Sequence, residues 1–385
     1  MDDFDAVIDR RGTASEKWER YAGRDVIPLW VADMDFRSPP AVLEALRRRV
    51  EHGVFGYTAP PASLVEAVAA HLAATYAWEV APEWIVWLPG LGTGLNVVCR
   101  AVGEDHDDVL TLVPIYPPFL SAPRFSRRGL VAVRLAEAGG RWEIDFERLQ
   151  AALTPRSRLF LFCNPHNPVG RVYRQEELEA VADFCLRSGL TICSDEIHAG
   201  LVLEPGLRHR PLATLDPEIA RRTITLLSPS KTFNLAGLGC GFAVIADEGL
   251  RRRFRRAMAG IVPMINPFGY AAAEAAYREG EPWRRALVAY LRGNRDLLGR
   301  ALAAMPGALS AAPVEGTYLA WIDARASGLK EPAAFFEQAG VGLQDGREFA
   351  GPGFVRLNFG CPRSLLRAAL ERMGRALEAA FRAGA

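Results

Sequence analysis

Short apolar runs alternate with helix-like stretches through the middle of this chain. Each run has about the length of a buried β-strand, and turn-forming residues follow most of them. The runs occupy residues 84–88, 109–113, 159–163, 190–198, 223–227 and 241–245. Because strands that alternate with helices are typical of sheets covered by helices, the pattern indicates an α/β fold.

One of these runs ends at a lysine. Run 223–227 stops at a Ser-Pro-Ser-Lys segment, which places Lys231 at a strand end, where open α/β sheets bind their ligands. Lysine is rare in this chain, since only Lys17, Lys231 and Lys330 occur among 46 Lys and Arg residues. An amine can lose its proton and condense with an aldehyde, whereas a guanidinium stays charged. Lys231 is therefore a candidate for amine chemistry, and a surface lysine in a loop is the alternative.

Composition limits the class of protein. A chain of 385 residues that is 50% hydrophobic can bury a large core and should hold about two domains. The formal net charge of +1 gives no reason to expect nucleic acid or an anionic membrane as partner. We interpret the basic run 251–256 as the solvated face of a helix.

The cysteines and the N-terminal residues indicate the cellular compartment of the protein. The six cysteines show no Cys-x-x-Cys spacing, and we interpret them as buried thiols in a reducing compartment. The N-terminus lacks the apolar core of a signal peptide, and no run reaches membrane-spanning length. We therefore expect a cytoplasmic protein with no membrane partner.

The segment Ser-Pro-Ser-Lys-Thr-Phe-Asn-Leu-Ala-Gly-Leu around Lys231 resembles the cofactor-lysine segment of pyridoxal 5'-phosphate (PLP) enzymes of fold type I. More narrowly, it is similar to the branch that contains the cystathionine β-lyases and related cysteine-S-conjugate lyases, often grouped with class I/II aminotransferases. Five further segments match that branch in the same order, at residues 29–36, 55–57, 164–170, 194–198 and 354–359. The resemblance thus covers nearly the whole chain.

The resemblance implies an architecture and an assembly. The expected fold is the type I PLP-dependent transferase fold, with a mostly parallel central sheet of seven strands flanked by helices and a smaller α/β domain. We expect an N-terminal segment 1–44 packed with the small domain, a large PLP-binding domain 45–283, and a small C-terminal domain 284–385. The matching tyrosine of the family crosses a dimer interface, so Tyr57 is expected to reach the cofactor phosphate of the neighbouring subunit in a homodimer.

The resemblance also assigns roles around the cofactor ring. Lys231 would hold PLP covalently. Asp195 would face the pyridine nitrogen, where a carboxylate keeps that nitrogen protonated. Asn167 would donate to the phenolic oxygen, with His198 nearby, and Tyr116 would cover the ring. A metal site on the Asp-Glu-His stretch 195–198 is disfavoured, because side chains alternate along a strand and no second ligand cluster is evident.

The remaining predictions concern the phosphate and the substrate. The glycine-rich turn before a helix at 95–102 makes the amides of Leu91, Gly92 and Thr93 candidates for binding the phosphate, because free N–H groups at a helix N-terminus favour an anion. Ser228 and Ser230 beside the lysine are further candidates for cofactor binding.

The substrate would lie beside three residues. Arg356 is expected to bind its α-carboxylate through a bidentate fork. Ala32 belongs to the 30–33 backbone that would line the entrance, and Asn167 would contact both cofactor and substrate.

Three functions remain open at this point. The favoured one is a C–S β-lyase that cleaves cystathionine or another cysteine S-conjugate to a thiol, pyruvate and ammonia. The first alternative is a PLP-dependent aminotransferase that uses the same cofactor site. The second is a non-catalytic PLP-binding regulatory protein. No second arginine motif marks a dicarboxylate transaminase, which favours the lyase.

Overall fold

A seven-stranded sheet forms the centre of the computed structural model, which describes residues 3–307 and 309–383. From edge to edge its strands are Ile85–Leu88, Gly241–Val244, Thr223–Leu227, Thr191–Asp195, Ser157–Cys163, Asp108–Val113 and Gly129–Arg134. Neighbouring strands are parallel except at Gly241–Val244, which is antiparallel to both of its neighbours. The predicted α/β fold with a mostly parallel sheet is confirmed.

Apolar side chains cover both faces of this sheet. Along the strand Ser157–Cys163, Leu159 and Leu161 belong to one buried cluster, whereas Phe160 and Phe162 belong to another. Successive side chains of a strand point to opposite faces, so the two clusters lie on opposite sides of the sheet. This is why the central strands are apolar runs rather than alternating patterns.

Helices account for most of the remaining chain, and short 3₁₀ helices occur at several of the turns. The α-helices are Glu16–Glu19, Pro40–His52, Ala62–Tyr76, Leu91–Ala101, Pro118–Phe125, Phe146–Ala151, Gln175–Arg187, Pro217–Arg222, Glu248–Met258, Pro267–Glu279, Glu281–Ala304, Pro332–Gln338 and Arg363–Ala383. The 3₁₀ helices are Pro82–Trp84, Leu212–Thr214, Ala236–Leu238, Arg325–Ser327 and Gly346–Phe349. None of the helices in the described ranges is long and apolar enough to span a bilayer.

A smaller antiparallel sheet forms near the C-terminus. Its strands are, in order, Ser310–Ala311, Leu319–Asp323, Phe354–Asn358 and Gln344–Asp345. Two further pairs are Ile27–Pro28 with Val341–Gly342, which is parallel, and Ala136–Ala138 with Arg141–Glu143, which is antiparallel. Phe4, Leu29 and Phe36 are buried in one cluster with side chains of the C-terminal third, so the N-terminal segment packs against that part of the chain.

Two local predictions need correction. The helix predicted at 95–102 begins at Leu91. Gly92 and Gly94 lie within the helix rather than before it. Gly94 allows the helix to approach the sheet closely, because a Cβ at this position would lie 3.1 Å from a Leu88 side-chain carbon. In the basic run, Arg251 is buried rather than solvated, because its guanidinium donates to the Ile245 carbonyl at 2.7 Å.

Candidate active site

The amine of Lys231 meets the N-terminal segment of the chain. Its Nζ donates to the Ala32 carbonyl at 2.5 Å, and the Tyr318 hydroxyl donates to the same carbonyl at 2.9 Å. Burial, together with the nearby Arg356 guanidinium, lowers the pKa of the Lys231 amine to about 8. At neutral pH about a tenth of this amine is therefore uncharged, far more than for an ordinary lysine, and the uncharged form is the one that acts as a nucleophile or proton acceptor.

Asp195 ends a buried strand and points a carboxylate into the same region. It is 4% exposed, and it accepts one hydrogen bond, from the Ile197 N–H at 3.1 Å. Burial raises the pKa of Asp195 to about 7, and the Glu196 carboxylate adds to this shift. A cation placed beside Asp195 would reverse the shift, because opposite charge favours the ionised form.

Arg356 lies on the strand Phe354–Asn358 of the smaller sheet and reaches the loop that follows the strand Ser157–Cys163 of the large one. One terminal nitrogen donates to Asn167 Oδ1 at 3.0 Å, and the other donates to the Trp30 carbonyl at 3.0 Å and to Gln344 Oε1. The guanidinium also lies 4.7 Å from the ring centre of Phe349. Burial lowers the pKa of Arg356 to about 10, so the group remains a cation at neutral pH.

Asn167 links Arg356 to the loop that carries Tyr116. The Tyr116 N–H donates to the Asn167 carbonyl at 3.1 Å, and the Tyr116 side chain is 38% exposed. Because the Asn167 side-chain oxygen accepts from Arg356, its amide nitrogen is directed elsewhere and can donate to a bound group.

His198 follows the strand that ends at Asp195. It is 2% exposed, its ring meets Tyr318 edge-on at 5.9 Å, and burial lowers its pKa well below the usual histidine value. A neutral imidazole at this position can both donate and accept.

The first turn of the helix Leu91–Ala101 is open on one side. The N–H groups of Leu91, Gly92 and Thr93 have no partner within the helix, as at every helix start. No atom lies within 4 Å of a Cβ built on Gly90 or Gly92, so space is free beside these donors. The arrangement suits an anion at the helix N-terminus.

The hydroxyls of the Lys231 loop are already used within the chain. Ser228 Oγ donates to the Cys240 carbonyl at 2.6 Å and accepts from the Ser230 N–H at 3.1 Å. The Ser230 hydroxyl lies 2.9 Å from Ser228 Oγ. These contacts hold the turn that presents Lys231.

Tyr57 stands apart from the other predicted residues. Its side chain is 98% exposed, so it has almost no packing contact within its own chain. The structure brings Lys231, Ala32, Asn167 and Arg356 into one connected set and leaves Tyr57 outside it.

A group of buried charges supports the site, and the sequence motifs did not reveal it. Lys17 is fully buried and donates to Asp35 at 2.6 Å and to the Asp33 carbonyl at 3.1 Å. Arg10 contacts the carboxylates of both aspartates at 2.7 Å. These bonds fix the 30–35 backbone, whose carbonyls hold Lys231 and Arg356. The rarity of lysine was the available signal for Lys17.

Asn234 ties the same backbone to the Lys231 loop. Its side-chain oxygen accepts from the Met34 N–H at 3.0 Å, and its side-chain nitrogen donates to the carbonyls of Met34 and Phe36. The two segments that meet at the site are thus joined directly.

Several features fit PLP. His198 Nδ1 is a buried polar atom without a partner among the described residues. Asp195 forms no ion pair within the described part of the chain, Lys231 offers an amine, and a helix N-terminus offers donors to a phosphate. Within the described residues, no group of three or more His, Cys, Asp or Glu side chains could hold a metal ion.

Comparison with known proteins identifies the family of this chain. The profile of the family "Aminotransferase class I and II" matches residues 24–373. The chain is 37% identical to cystathionine β-lyase PatB of Bacillus subtilis over 97% of this chain and 99% of the relative.

Two solved structures superpose over nearly the full length. The crystal structure of OvoB has a TM-score of 0.95, 48% identity, and coverage of 97% of this chain and 98% of its own. Cystalysin from Treponema denticola, whose structure contains a PLP cofactor, has a TM-score of 0.94, 32% identity, and coverage of 98% and 99%. The chain therefore belongs to the class I and II aminotransferase family, in the branch that contains the cystathionine β-lyases.

Proposed function

We propose that the chain is a PLP-dependent carbon–sulfur β-lyase that cleaves cystathionine or another cysteine S-conjugate to a thiol, pyruvate and ammonia. The observation that carries this function is the convergence of the Lys231 amine, the Asp195 carboxylate and the Arg356 guanidinium at one buried site. The similarity to proteins named cystathionine β-lyase supports the lyase among the reactions that such a site can perform.

The contacts described above support a set of proposed roles for the residues of the site. PLP, when bound, supplies an aldehyde that condenses with an amine and a protonated ring that withdraws electrons from the substrate Cα. Asp195 would keep the ring nitrogen protonated, Asn167 and His198 would hold the phenolic oxygen, and Tyr116 would cover the ring. The amides of Leu91, Gly92 and Thr93 would bind the phosphate, and Ser228 and Ser230 shape the adjoining turn.

Arg356 and Lys231 act on the substrate. The Arg356 fork binds the α-carboxylate, replacing contacts that it now makes to the Trp30 carbonyl and Gln344. Lys231, once released by the substrate amine, takes the Cα proton at Nζ, which its lowered pKa permits.

The Cβ–S bond then breaks, and sulfur leaves with the electron pair as a thiolate. A thiolate, whose conjugate acid has a pKa of about 8.5, leaves far more readily than an alkoxide. Water hydrolyses the released enamine to pyruvate and ammonia.

A substrate panel tests this reaction against the aminotransferase and the non-catalytic alternatives. We expect cystathionine or an S-alkyl cysteine to yield pyruvate and free thiol with no added keto acid. Serine should react at least about tenfold more slowly, since it would have to expel an alkoxide. Pyruvate, thiol and ammonia are measured together.

Two outcomes would contradict the lyase. Product that forms only with an added keto acid, and in step with conversion of that acid to an amino acid, would indicate the aminotransferase. Binding of PLP without turnover of any member of the panel would indicate the non-catalytic protein.

A homodimer with shared sites forms part of the proposal. The segment 50–57 exposes the apolar side chains of Val50, Val54, Phe55 and Tyr57, each more than half accessible. Monomeric proteins seldom expose contiguous apolar patches of this kind. We propose that this surface packs against a second copy and that Tyr57 reaches the phosphate of the neighbouring cofactor.

Mixed subunits test the sharing of sites. Tyr57→Phe and Lys231→Ala subunits should each be nearly inactive alone, and a hybrid dimer should hold one site with both residues intact. Random 1:1 mixing would then restore about a quarter of the wild-type activity. Absence of recovery in hybrids verified by mass spectrometry would show that each site is built within one chain.

Two further assignments belong to the proposal. We place the protein in the cytoplasm, which agrees with six free, buried cysteines in the described chain. We divide the chain at residues 44 and 283, which agrees with the packing of the N-terminal segment against the C-terminal third.

A further inference from the structure

A second cavity adjoins the loop that carries Lys231. Its volume is about 430 Å³, and it lies between the helix Ala62–Tyr76, residues 196–209 and the helix Glu281–Ala304. Neither Lys231 nor Arg356 lines it. Cavities of this size accept small metabolites.

Guanidinium groups dominate the charge of this cavity. Four arginines line it, Arg208, Arg284, Arg285 and Arg292. Arg284 and Arg285 both form ion pairs with the carboxylate of Glu281, so two positive charges share one negative charge. The net charge of these three side chains is therefore positive.

The other two guanidinium groups have unused donors. Neither Arg208 nor Arg292 forms an ion pair with any carboxylate in the part of the chain that the structure describes. Arg292 Nε donates to the Leu203 carbonyl at 2.6 Å, which aligns this guanidinium, and its two terminal nitrogens bond to none of the residues that the structure describes. Arg208 is exposed. Both can therefore donate to a ligand.

Among the described residues that line the cavity, Glu196 is the one that carries a carboxylate, and it already has partners within the chain. Glu196 accepts from the Ser194 hydroxyl at 2.7 Å, from His209 Nε2 at 2.7 Å and from the Leu212 N–H at 3.1 Å. Its side chain is fully buried. None of these three donors is a lining arginine, and the single negative charge of Glu196 is outnumbered by the four guanidinium groups of the lining.

Two phenols add further donors. Tyr76 and Tyr277 line the cavity, and their hydroxyls bond to no other residue within the described ranges. The groups that remain available are thus guanidinium N–H and phenol O–H groups, which suit oxygen atoms of a phosphate or a carboxylate.

From this arrangement we infer that the cavity binds a small molecule bearing two or more anionic groups, phosphate or carboxylate. Arg208 and Arg292 bind these groups through their forks, and the phenols donate the remaining hydrogen bonds. Ser228, Pro229 and Thr232 form part of the cavity wall, so the ligand sits behind the turn that presents Lys231.

Calorimetric titration of the PLP-loaded enzyme with inorganic pyrophosphate, at constant ionic strength, tests the site. Citrate in a parallel titration distinguishes carboxylate from phosphate ligands. Saturable binding of either probe is expected, and Arg292→Gln should weaken it about tenfold, equivalent to about 1.4 kcal/mol. Arg300→Gln, on the same helix but outside the cavity, should change the affinity less than about twofold.

A second variant separates lost binding from lost structure. Arg208→Gln removes an exposed side chain, so it should preserve the melting temperature and still weaken binding severalfold. Turnover without the probe should stay unchanged in both variants. Absence of binding by both probes, or equal affinity in wild type, Arg292→Gln and Arg208→Gln, would overturn the inference.

Discussion

Lys231→Ala should lower turnover by about a thousandfold or more, because the amine both holds the cofactor and moves the Cα proton, and proton transfer alone contributes 10²–10⁴-fold. The visible absorbance of the lysine-bound cofactor should disappear. Lys231→Arg should show the same loss of turnover and of absorbance as Lys231→Ala, since a guanidinium keeps the charge but cannot condense with an aldehyde. Steady-state rates and absorption spectra measure both effects.

Lys330→Ala is the matched control, because Lys330 is exposed and lies outside the site. Its activity and spectrum should equal those of the wild type. Full activity of Lys231→Ala, or an unchanged spectrum, would remove the lysine from the reaction and with it the proposed function.

Arg356→Ala should raise KM by about tenfold to a hundredfold, because a charged hydrogen bond to a carboxylate contributes about 1.5–3 kcal/mol. The cofactor should stay bound, since none of its proposed contacts comes from Arg356. Arg356→Lys keeps the charge and loses the fork, so its KM should fall between wild type and alanine.

The spectrum and the melting temperature serve as controls for Arg356→Ala, since the residue is buried and packs on Phe349. A variant that retains cofactor and fold while KM stays at the wild-type value would place the carboxylate elsewhere.

Sequence patterns could predict the parts of the site that sit on regular structure. Asp195 ends an apolar strand, Lys231 follows one, and Arg356 lies within one. The pattern of apolar residues alone therefore predicts the strands that position these three residues. Their roles came from resemblance to a family, because an Asp at a strand end has no unique chemistry.

Contacts made by backbone carbonyls could not be predicted in this way. Every residue carries the same carbonyl, so nothing in the sequence distinguishes Trp30 and Ala32 as acceptors for Arg356 and Lys231. Gln344 reaches Arg356 from the neighbouring strand of the smaller sheet, a pairing that local periodicity does not specify. The helix start at Leu91 was missed for a related reason, since glycines at 92 and 94 lower helix propensity while packing favours the helix.

The three lysines occupy three different environments, and this has a practical consequence. Lys17 is enclosed by carboxylates, Lys231 lies within the site, and Lys330 is exposed. Once the cofactor occupies Lys231, Lys330 is the lysine side chain that an acylating reagent can readily reach. Among the lysine side chains, a dye or a solid support coupled by acylation would therefore attach mainly at Lys330 and leave the site untouched.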